Sequence, residues 1–212
     1  MREPMAHPLS VHKPRQPSQR EVFLCHNIAM TPTINFCDQC GHAVEQIIPA
    51  DDTRIRAVCP ACATVHYQNP KCVVGTIPIY DNKVLLCLRD IEPRAGFWTL
   101  PAGFMECSET MSDGASRETW EEACARVELI EPVYALVDIP HISQIHVFFR
   151  ANIVEQNGAP PFAAGQETAA VQLFALDEIP WDKIAFSSVR FALQSYINDV
   201  QTGQFLTHHH AF

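Results

Sequence analysis

Residues 103–125 read GFMECSETMSDGASRETWEEACA, and the interpretation of the whole chain depends on this stretch. Six acidic residues fall within the seventeen positions from 106 to 122. Three of them, Glu118, Glu121 and Glu122, are spaced at i, i+3 and i+4, so on a helix their carboxylates project from one face. Like charges placed in this way destabilise a helix by about 0.2–0.5 kcal/mol per pair. Either the face is solvated, or it binds a cation that offsets the repulsion.

The residues around the glutamates predict where the helix lies. Thr110 and Asp113 match the capping-box pattern, which predicts a helix from about residue 111 to about residue 123. Arg117 stands four residues before Glu121, where its charge offsets one member of the acidic cluster. The face beside the acidic edge is expected to pack closely on the domain, and it consists of Ser112, Ala115, Thr119, Trp120 and Ala123.

The acidic edge is suited to hard divalent cations. Mg²⁺ and Mn²⁺ take oxygen ligands, and three carboxylates on one helix supply them at a fixed geometry. The net charge of −9 disfavours a general nucleic-acid binder, because such a protein needs a basic stripe. An acidic protein that acts on phosphates needs metal cations where the substrate binds. We therefore expect Mg²⁺ or Mn²⁺ at this edge and no nucleic-acid partner.

Two cysteine pairs precede this region. Cys37 and Cys40 form the first C-x-x-C pair, and Cys59 and Cys62 form the second, with eighteen residues between the pairs. This spacing predicts a zinc ribbon in which four thiolates close a tetrahedral site, with a redox dithiol pair as the alternative. The intervening segment is expected to form a short hairpin that needs the metal to fold. Two nearby histidines are expected to be surface or packing residues.

Composition sets the general class of the protein. Of 212 residues, 47% are hydrophobic and 18% are charged, which is typical of a globular protein. No apolar run approaches the roughly 18 residues that span a bilayer, so no membrane partner is expected. The first thirty residues contain no continuous apolar block, which disfavours a secretory signal and leaves an organelle-targeting segment as the alternative. Nine cysteines without a signal peptide favour a reducing, cytoplasmic compartment.

Changes of pattern along the chain predict its organisation. The runs KCVVGTIPIY and KVLLCLR are predicted strands, joined by a hairpin turn at Asp81 and Asn82. Further β-rich runs and the amphipathic stretch FSSVRFALQSYINDV complete a layered α/β domain. Three histidines near the C terminus are too few to indicate a metal site. The predicted parts are a flexible tail (1–33), a zinc ribbon (34–70), a main domain (71–200) and a C-terminal tail (201–212).

The opening stretch also matches a longer pattern. Gly103, Glu109 and the run RETWEEACA are similar to the Nudix box, G-x5-E-x7-R-E-U-x-E-E-x-G-U, in which U is aliphatic. The chain departs from the box at Thr119, Cys124 and Ala125, which are packing or turn positions. Cys124 in particular has to end the helix without glycine's ease at positive φ.

The resemblance extends beyond the box. The segments HYQNPKCVVGTIP and LLCLRDIEPRAGFWTLPAGF resemble zinc-ribbon Nudix hydrolases that act on ADP-ribose or FAD, and the resemblance covers residues 34–200. It implies an α/β fold, a Nudix α/β/α sandwich preceded by the ribbon. It also implies metal-dependent hydrolysis of the pyrophosphate bond of a nucleoside diphosphate linked to another moiety, ADP-ribose or FAD first, with release of AMP. A homodimer that uses the ribbon as a contact is compatible with this assignment.

The resemblance assigns roles to the box residues. It implies Glu118 and Glu122 as the main ligands of Mg²⁺ or Mn²⁺. Glu121 and the carbonyl of Gly103 are implied to complete the metal shell. Glu109 is implied to be a structural or assisting residue at the start of the helix.

Other residues are implied to serve catalysis or substrate binding. Arg117 is implied to orient a glutamate, and Glu167 matches the position of a later-loop carboxylate that acts as base or extra ligand in the family; an ordinary loop glutamate is the alternative. Arg89 ends a strand and is a candidate phosphate contact. Trp98 and Phe104 are candidates for stacking on adenine or flavin, with anchoring of the loop in the core as the alternative.

Two other functions are considered. An NADH pyrophosphatase also joins a zinc ribbon to a Nudix domain, but that group carries a segment resembling SQPWPFP after the box, where this chain reads LVDIPHISQIHVFF. A non-catalytic Nudix regulator that binds a nucleotide sugar typically loses box glutamates. This chain retains all of them, which favours an enzyme.

Overall fold

A computed structural model describes residues 33–156 and 162–212 of the chain. The flexible tail expected for residues 1–33 lies outside these ranges, apart from Thr33. Within the described part, no helix is both long and apolar enough to cross a membrane. The described strands form two sheets, a small one that follows Thr33 and a large one that supports the predicted helix.

The small sheet contains the two cysteine pairs in its loops. β1 (Glu45–Ile47), β2 (Arg56–Val58) and β3 (Val65–His66) are antiparallel and lie in the order β1-β2-β3. β1 and β2 form the hairpin predicted between the cysteine pairs. Several large apolar side chains of this module are exposed, namely Phe36, Ile47, Ile48, Ile55 and Tyr67. With so few apolar groups buried, the module depends on a cross-link such as a bound metal for its stability.

The large sheet is mixed and has eight strands. Six of them lie in the order β10-β5-β4-β9-β8-β11, while β6 pairs with β5 and β7 pairs with β4. β9 runs parallel to β4 and β11 runs parallel to β8, whereas the other pairs are antiparallel. The strands are β4 (Lys71–Tyr80), β5 (Lys83–Arg89), β6 (Trp98–Thr99), β7 (Ala102–Phe104), β8 (Val127–Ile139), β9 (Gln144–Ile153), β10 (Thr168–Ala175) and β11 (His208–Ala211).

The hairpin predicted at Asp81 and Asn82 joins β4 to β5. Both residues have positive φ, 47° and 58°, which is the signature of a type I′ turn. The turn sets the register, so that Tyr80 pairs with Lys83.

Two helices cover opposite faces of the large sheet. Consecutive residues of β5 point to opposite faces: Leu85 packs with Ala123 at the end of α1 (Met111–Ala123), and Leu86 packs with Leu193 of α2 (Ser187–Thr202). The chain therefore forms an α/β/α sandwich, and the predicted fold class is confirmed. Two short 3-10 helices, Pro140–Ile142 and Trp181–Lys183, lie in the connections.

The boundaries of α1 agree with the sequence. Thr110 Oγ1 accepts from the Asp113 N–H at 3.1 Å, and an Asp113 carboxylate oxygen lies 3.4 Å from the Thr110 N–H, so the capping box is formed. Cys124 ends the helix at φ 48°, and its N–H donates to the Trp120 carbonyl at 2.8 Å. One expectation was wrong: Trp120 is 48% exposed and does not join the packing face. Its ring lies under the guanidinium of Arg126, at 5.5 Å.

Thr119 places a hydroxyl group where the box has an aliphatic residue, and the fold provides partners for it. Its side chain is fully buried, and its Oγ1 donates to the Ala115 carbonyl at 2.8 Å. The hydroxyl of Thr76 on β4 lies 2.7 Å away and completes the pair. A buried hydroxyl is costly only when it lacks a partner, so this pair fastens α1 to the central strand.

The C-terminal residues were expected to form a tail, but they belong to the sheet. β11 adds to the edge of β8, where His208 pairs with Ala135. The buried carboxylate of Asp199 on α2 accepts from the Tyr134 hydroxyl at 2.9 Å, and His208 Nε2 lies 2.8 Å from the same oxygen. The histidines are therefore used for packing, because the Asp199 carboxylate needs polar partners once it is buried.

Candidate active site and metal centres

Gly103 and Glu118 are in close contact where β7 passes under α1. β7 is held by β4, with Gly103 opposite Val74. A Cβ added to Gly103 would lie 2.3 Å from Glu118 Oε2, so the carboxylate occupies the space that any side chain here would fill. The glycine of the box is thus required because it lets a helix carboxylate lie directly on the strand.

Arg117 organises the acidic residues around it. Its Nε and Nη2 donate to the two carboxylate oxygens of Glu109 at 3.0 and 2.7 Å, and its Nη1 donates to Glu118 at 2.7 Å and to Glu121 at 3.0 Å. Nη2 also donates to the Phe104 carbonyl at 3.1 Å. The guanidinium lowers the pKa of Glu109 to about 2, and the carboxylates raise the pKa of Arg117. One cation thus fixes three acidic side chains.

Glu118 and Glu122 are the box glutamates whose carboxyl pKa is raised by burial. Glu118 is buried, and burial raises the pKa of its carboxyl group. Burial also raises the pKa of Glu122 to about 7, and its Oε2 accepts a single hydrogen bond in the described ranges, from the Ala102 N–H at 3.3 Å. Burial disfavours the charged form of both carboxylates, even though Arg117 pairs with Glu118, and a bound cation would offset this cost.

The three helix glutamates do not converge on one point. In the described residues, the groups whose ligand atoms lie within 4.8 Å of one another are the four ribbon cysteines and the trio of Cys37, Asp38 and His66. Glu121 is held by Arg117 and is more exposed than Glu118. Glu118, Glu122 and the Gly103 backbone are the candidate oxygen donors for Mg²⁺ or Mn²⁺.

The loop that carries Glu167 is fastened to the end of α1. The Gly165 N–H donates to the Glu122 carbonyl at 3.0 Å, and the Ala163 N–H donates to the Ala123 carbonyl at 2.9 Å. The Glu167 carbonyl accepts from the Asp90 N–H at 3.0 Å, which ties the loop to the end of β5. The charge of Glu167 contributes to the raised pKa of Glu122, so the two carboxylates share one electrostatic environment.

Gly165→Ala is expected to lower kcat about tenfold or more, since small displacements of catalytic groups are costly. A Cβ at Gly165 would lie 1.8 Å from the Glu121 carbonyl oxygen, so the loop must move away from α1 and take Glu167 with it. Steady-state kinetics and thermal unfolding measure the effect. Gln166→Ala, an exposed neighbour, serves as the control. An unchanged kcat in Gly165→Ala would show that the loop position is irrelevant to turnover.

The candidate substrate-binding residues differ in how far the protein itself already occupies their side chains. Trp98 is partly buried and packs edge-on against Phe174 in the main core, with ring centroids 4.9 Å apart, so it anchors its loop. Phe104 is 47% exposed, and the Lys71 ammonium lies 5.0 Å from its ring. Arg89 makes no ion pair among the described residues, and its charge opposes the rise in the pKa of Glu122. Phe104 and Arg89 therefore remain open to a ligand.

The four ribbon cysteines form a compact cluster. The Sγ atoms of Cys37 and Cys62 lie 3.6 Å apart, and Cys40 Sγ lies 3.5 Å from both Cys59 Sγ and Cys62 Sγ. A disulfide needs about 2.05 Å, whereas thiolates at 2.3 Å from a tetrahedral zinc ion lie about 3.8 Å apart. The cluster fits zinc, and none of the four cysteines forms a disulfide. Of the two histidines expected to be surface or packing residues, His42 is exposed and His66 is buried.

Two contributors to the site were missed from the sequence. Gly165 carries the contact between the Glu167 loop and α1, and its position two residues before a candidate base was the available signal. Phe186 lies beside Arg89, with its ring centroid 5.2 Å from the guanidinium carbon. Nothing in its local sequence indicates this contact, because it joins residues almost a hundred positions apart.

The sandwich, the glutamate-bearing helix and the cysteine cluster define a Nudix hydrolase with a zinc ribbon. Residues 70–192 match the NUDIX domain model and residues 35–68 match the Nudix N-terminal model of the zinc ribbon, so the chain belongs to the Nudix family. The predicted family and the prediction of an enzyme are confirmed. Nudix enzymes use divalent metals.

Individual relatives are similar over different lengths. An ADP-ribose pyrophosphatase of Methanocaldococcus jannaschii is 32% identical over 123 residues, 57% of this chain and 69% of that protein. The NAD-capped RNA hydrolase NudC of Vibrio parahaemolyticus is 31% identical over 48% of this chain, and the match spans only 37% of that longer protein. A NUDIX hydrolase structure from Nitrosomonas europaea is 49% identical and covers 84% of this chain and 99% of that chain, with a TM-score of 0.79.

Proposed function

We propose that the protein hydrolyses the pyrophosphate bond of a nucleoside diphosphate linked to another moiety, ADP-ribose or FAD first, and releases AMP. The observation that carries this proposal is the pair of glutamates with raised pKa on α1: the Glu118 carboxylate lies on Gly103, and Glu122 accepts from the neighbouring Ala102 N–H. ADP-ribose is favoured by the archaeal relative, which is named an ADP-ribose pyrophosphatase. FAD rests on the sequence resemblance alone.

The metal site of the proposal uses oxygen donors from two elements. Glu118 and Glu122 on α1 and the Gly103 carbonyl on β7 would hold Mg²⁺ or Mn²⁺, with Glu121 as a further ligand once it leaves Arg117. The bound ions supply charge neutralisation of the phosphate oxygens and lower the pKa of the attacking water. The zinc of the ribbon is structural, since four thiolates leave no open position.

The remaining residues act on substrate and water. Arg117 keeps Glu109, Glu118 and Glu121 in place through four hydrogen bonds, so that the carboxylates are preorganised. Glu167, on the loop fastened to α1, accepts the proton of the attacking water at its carboxylate. Arg89 binds the anionic diphosphate, and Phe104 offers an exposed ring for stacking on the base or its counterpart.

A second candidate is a substrate that contains NAD. It is favoured by the NudC relatives, which are named NAD-capped RNA hydrolases. It is weakened by the absence of a segment like SQPWPFP in the part of the chain after the box. Because the match covers about a third of those proteins, they support the shared chemistry more than the substrate.

A substrate panel tests the proposal. ADP-ribose, FAD, NADH and diadenosine substrates are incubated with the full chain and Mg²⁺ or Mn²⁺, and the products are separated by chromatography. AMP formed with ribose 5-phosphate or with FMN is the expected result. NADH cleaved in preference to both would select the second candidate, and no cleavage of any dinucleotide by folded protein would refute both.

A further inference from the structure

We propose that Phe186, the residue immediately before α2, is a positioning residue that holds the guanidinium of Arg89 in place for the diphosphate. The inference rests on the proposed function and extends it to a residue outside the Nudix box. The Arg89 guanidinium carbon lies 5.2 Å from the centroid of the Phe186 ring, and Arg89 Nε donates to the Pro93 carbonyl at 2.9 Å. Two contacts of different kinds therefore restrain the orientation of one cation.

The backbones of both residues are fastened to the same short segment. The Arg89 N–H donates to the Phe97 carbonyl at 3.0 Å, at the start of β6. The residue before Phe186, Ala185, donates its N–H to the Trp98 carbonyl at 2.8 Å, and Trp98 forms a bridge with Ile184. These contacts fix the backbone beside Phe186, so its ring has a defined position against the Arg89 guanidinium.

The guanidinium of Arg89 has N–H donors available for an anion. A guanidinium carries five N–H donors, and the hydrogen bond to Pro93 uses one of them. No carboxylate of the described residues lies within ion-pair distance of Arg89. The positive charge of Arg89 nevertheless acts on Glu122, where it opposes the rise in pKa. An unpaired cation beside the glutamate pair, in a chain of net charge −9, is suited to a phosphate group.

Stacking on Phe186 matters because phosphate recognition by arginine is directional. The planar fork must face the oxygens, and a free arginine side chain loses rotamer freedom when it is ordered. The Phe186 ring restricts the rotamers of Arg89 before the substrate binds, so that less side-chain entropy is lost on binding. A leucine at this position would fill space without providing an aromatic face.

A double-mutant cycle tests the inference on the full chain with Mg²⁺ and the best substrate of the panel. Phe186→Leu is expected to raise KM about fivefold with kcat changed less than about twofold, in line with the loss of a partly desolvated cation–π contact. Phe186→Tyr, which keeps the aromatic face, is expected to restore the original KM. In an Arg89→Ala background, Phe186→Leu is expected to have no further effect on KM, because the group it positions is gone.

Control variants separate positioning from stability. Phe191 lies on α2, and its ring stacks on His210 with the centroids 5.1 Å apart. Phe191→Leu is therefore expected to leave KM unchanged. Additive effects of Phe186→Leu and Arg89→Ala, or failure of Phe186→Tyr to restore KM, would overturn the inference. So would an unchanged KM in Arg89→Ala, even where Glu122→Gln is inactive and the proposed function stands. Absence of turnover of every dinucleotide of the panel by the folded parent chain would instead refute the proposed function itself.

Discussion

Glu122→Gln is expected to reduce kcat by at least about 10²-fold while the fold remains intact, since several kcal/mol of transition-state stabilisation depend on the metal site. Glutamine has nearly the size of glutamate but loses the negative charge that would bind Mg²⁺ or Mn²⁺. Glu122 is under-compensated in the protein, so its neutral replacement relieves repulsion with Glu118. We therefore expect the metal-free variant to melt at the same temperature as the metal-free parent, or above it.

Three measurements check this prediction. Steady-state kinetics give kcat, thermal unfolding with and without Mg²⁺ gives the metal-dependent stabilisation, and Mn²⁺ titration gives the number of bound ions. Glu128→Gln is the matched control, because Glu128 is an exposed glutamate on β8 and its loss should change none of the three. A Glu122→Gln protein with normal turnover and a normal response to Mg²⁺ would remove Glu122 from the metal site.

Cys59→Ser is expected to unfold the ribbon. Cys59 is fully buried in the four-cysteine cluster, and a structural zinc contributes about 10–16 kcal/mol to the folding of comparable modules. The ribbon buries few apolar side chains of its own, so little remains to hold β1, β2 and β3 together without the metal. The large sheet should keep its own unfolding transition, because its core clusters contain no ribbon residue.

Zinc content and limited proteolysis measure the effect on the ribbon. The parent is expected to hold one zinc ion per chain that a strong chelator removes slowly, and Cys59→Ser is expected to hold none and to be cleaved in the region of residues 33–70. Cys107→Ser is the control, since Cys107 is exposed and lies outside the cluster. Parent protein that contains no zinc and yet resists proteolysis would show that the ribbon is stabilised in another way.

Local signals in the sequence were sufficient wherever the interactions are local. The capping box of Thr110 and Asp113 predicted the start of α1, and the Asp81–Asn82 turn predicted the β4–β5 hairpin. The cysteine spacing predicted the cluster, because each C-x-x-C pair brings two sulfurs to one point within a few residues. The capping box and the turn join atoms that are close in the chain, whereas the sulfur contacts between the two cysteine pairs span 19 to 25 residues and depend on the hairpin that lies between the pairs.

Two features of the fold depended on contacts that spacing cannot report. Trp120 has the helical phase of a packing residue, yet its side chain is half exposed and its ring lies against the guanidinium of Arg126. The C-terminal segment looks like a tail, yet β11 joins β8 because Asp199 on α2 supplies a buried partner for His208. These outcomes depend on which distant surfaces remain uncovered after the sheet is formed.

The sequence by itself determined the family, the α/β class, the helix with its three glutamates and the ribbon with its four cysteines, because motifs and short-range periodicity encode them. Only the tertiary structure decided how these parts form a site. It placed Glu118 on Gly103, brought Glu109 to Arg117, and set Phe186 against Arg89. Such contacts join residues that packing brings together, and the free energy of each depends on burial that exists only in the folded chain.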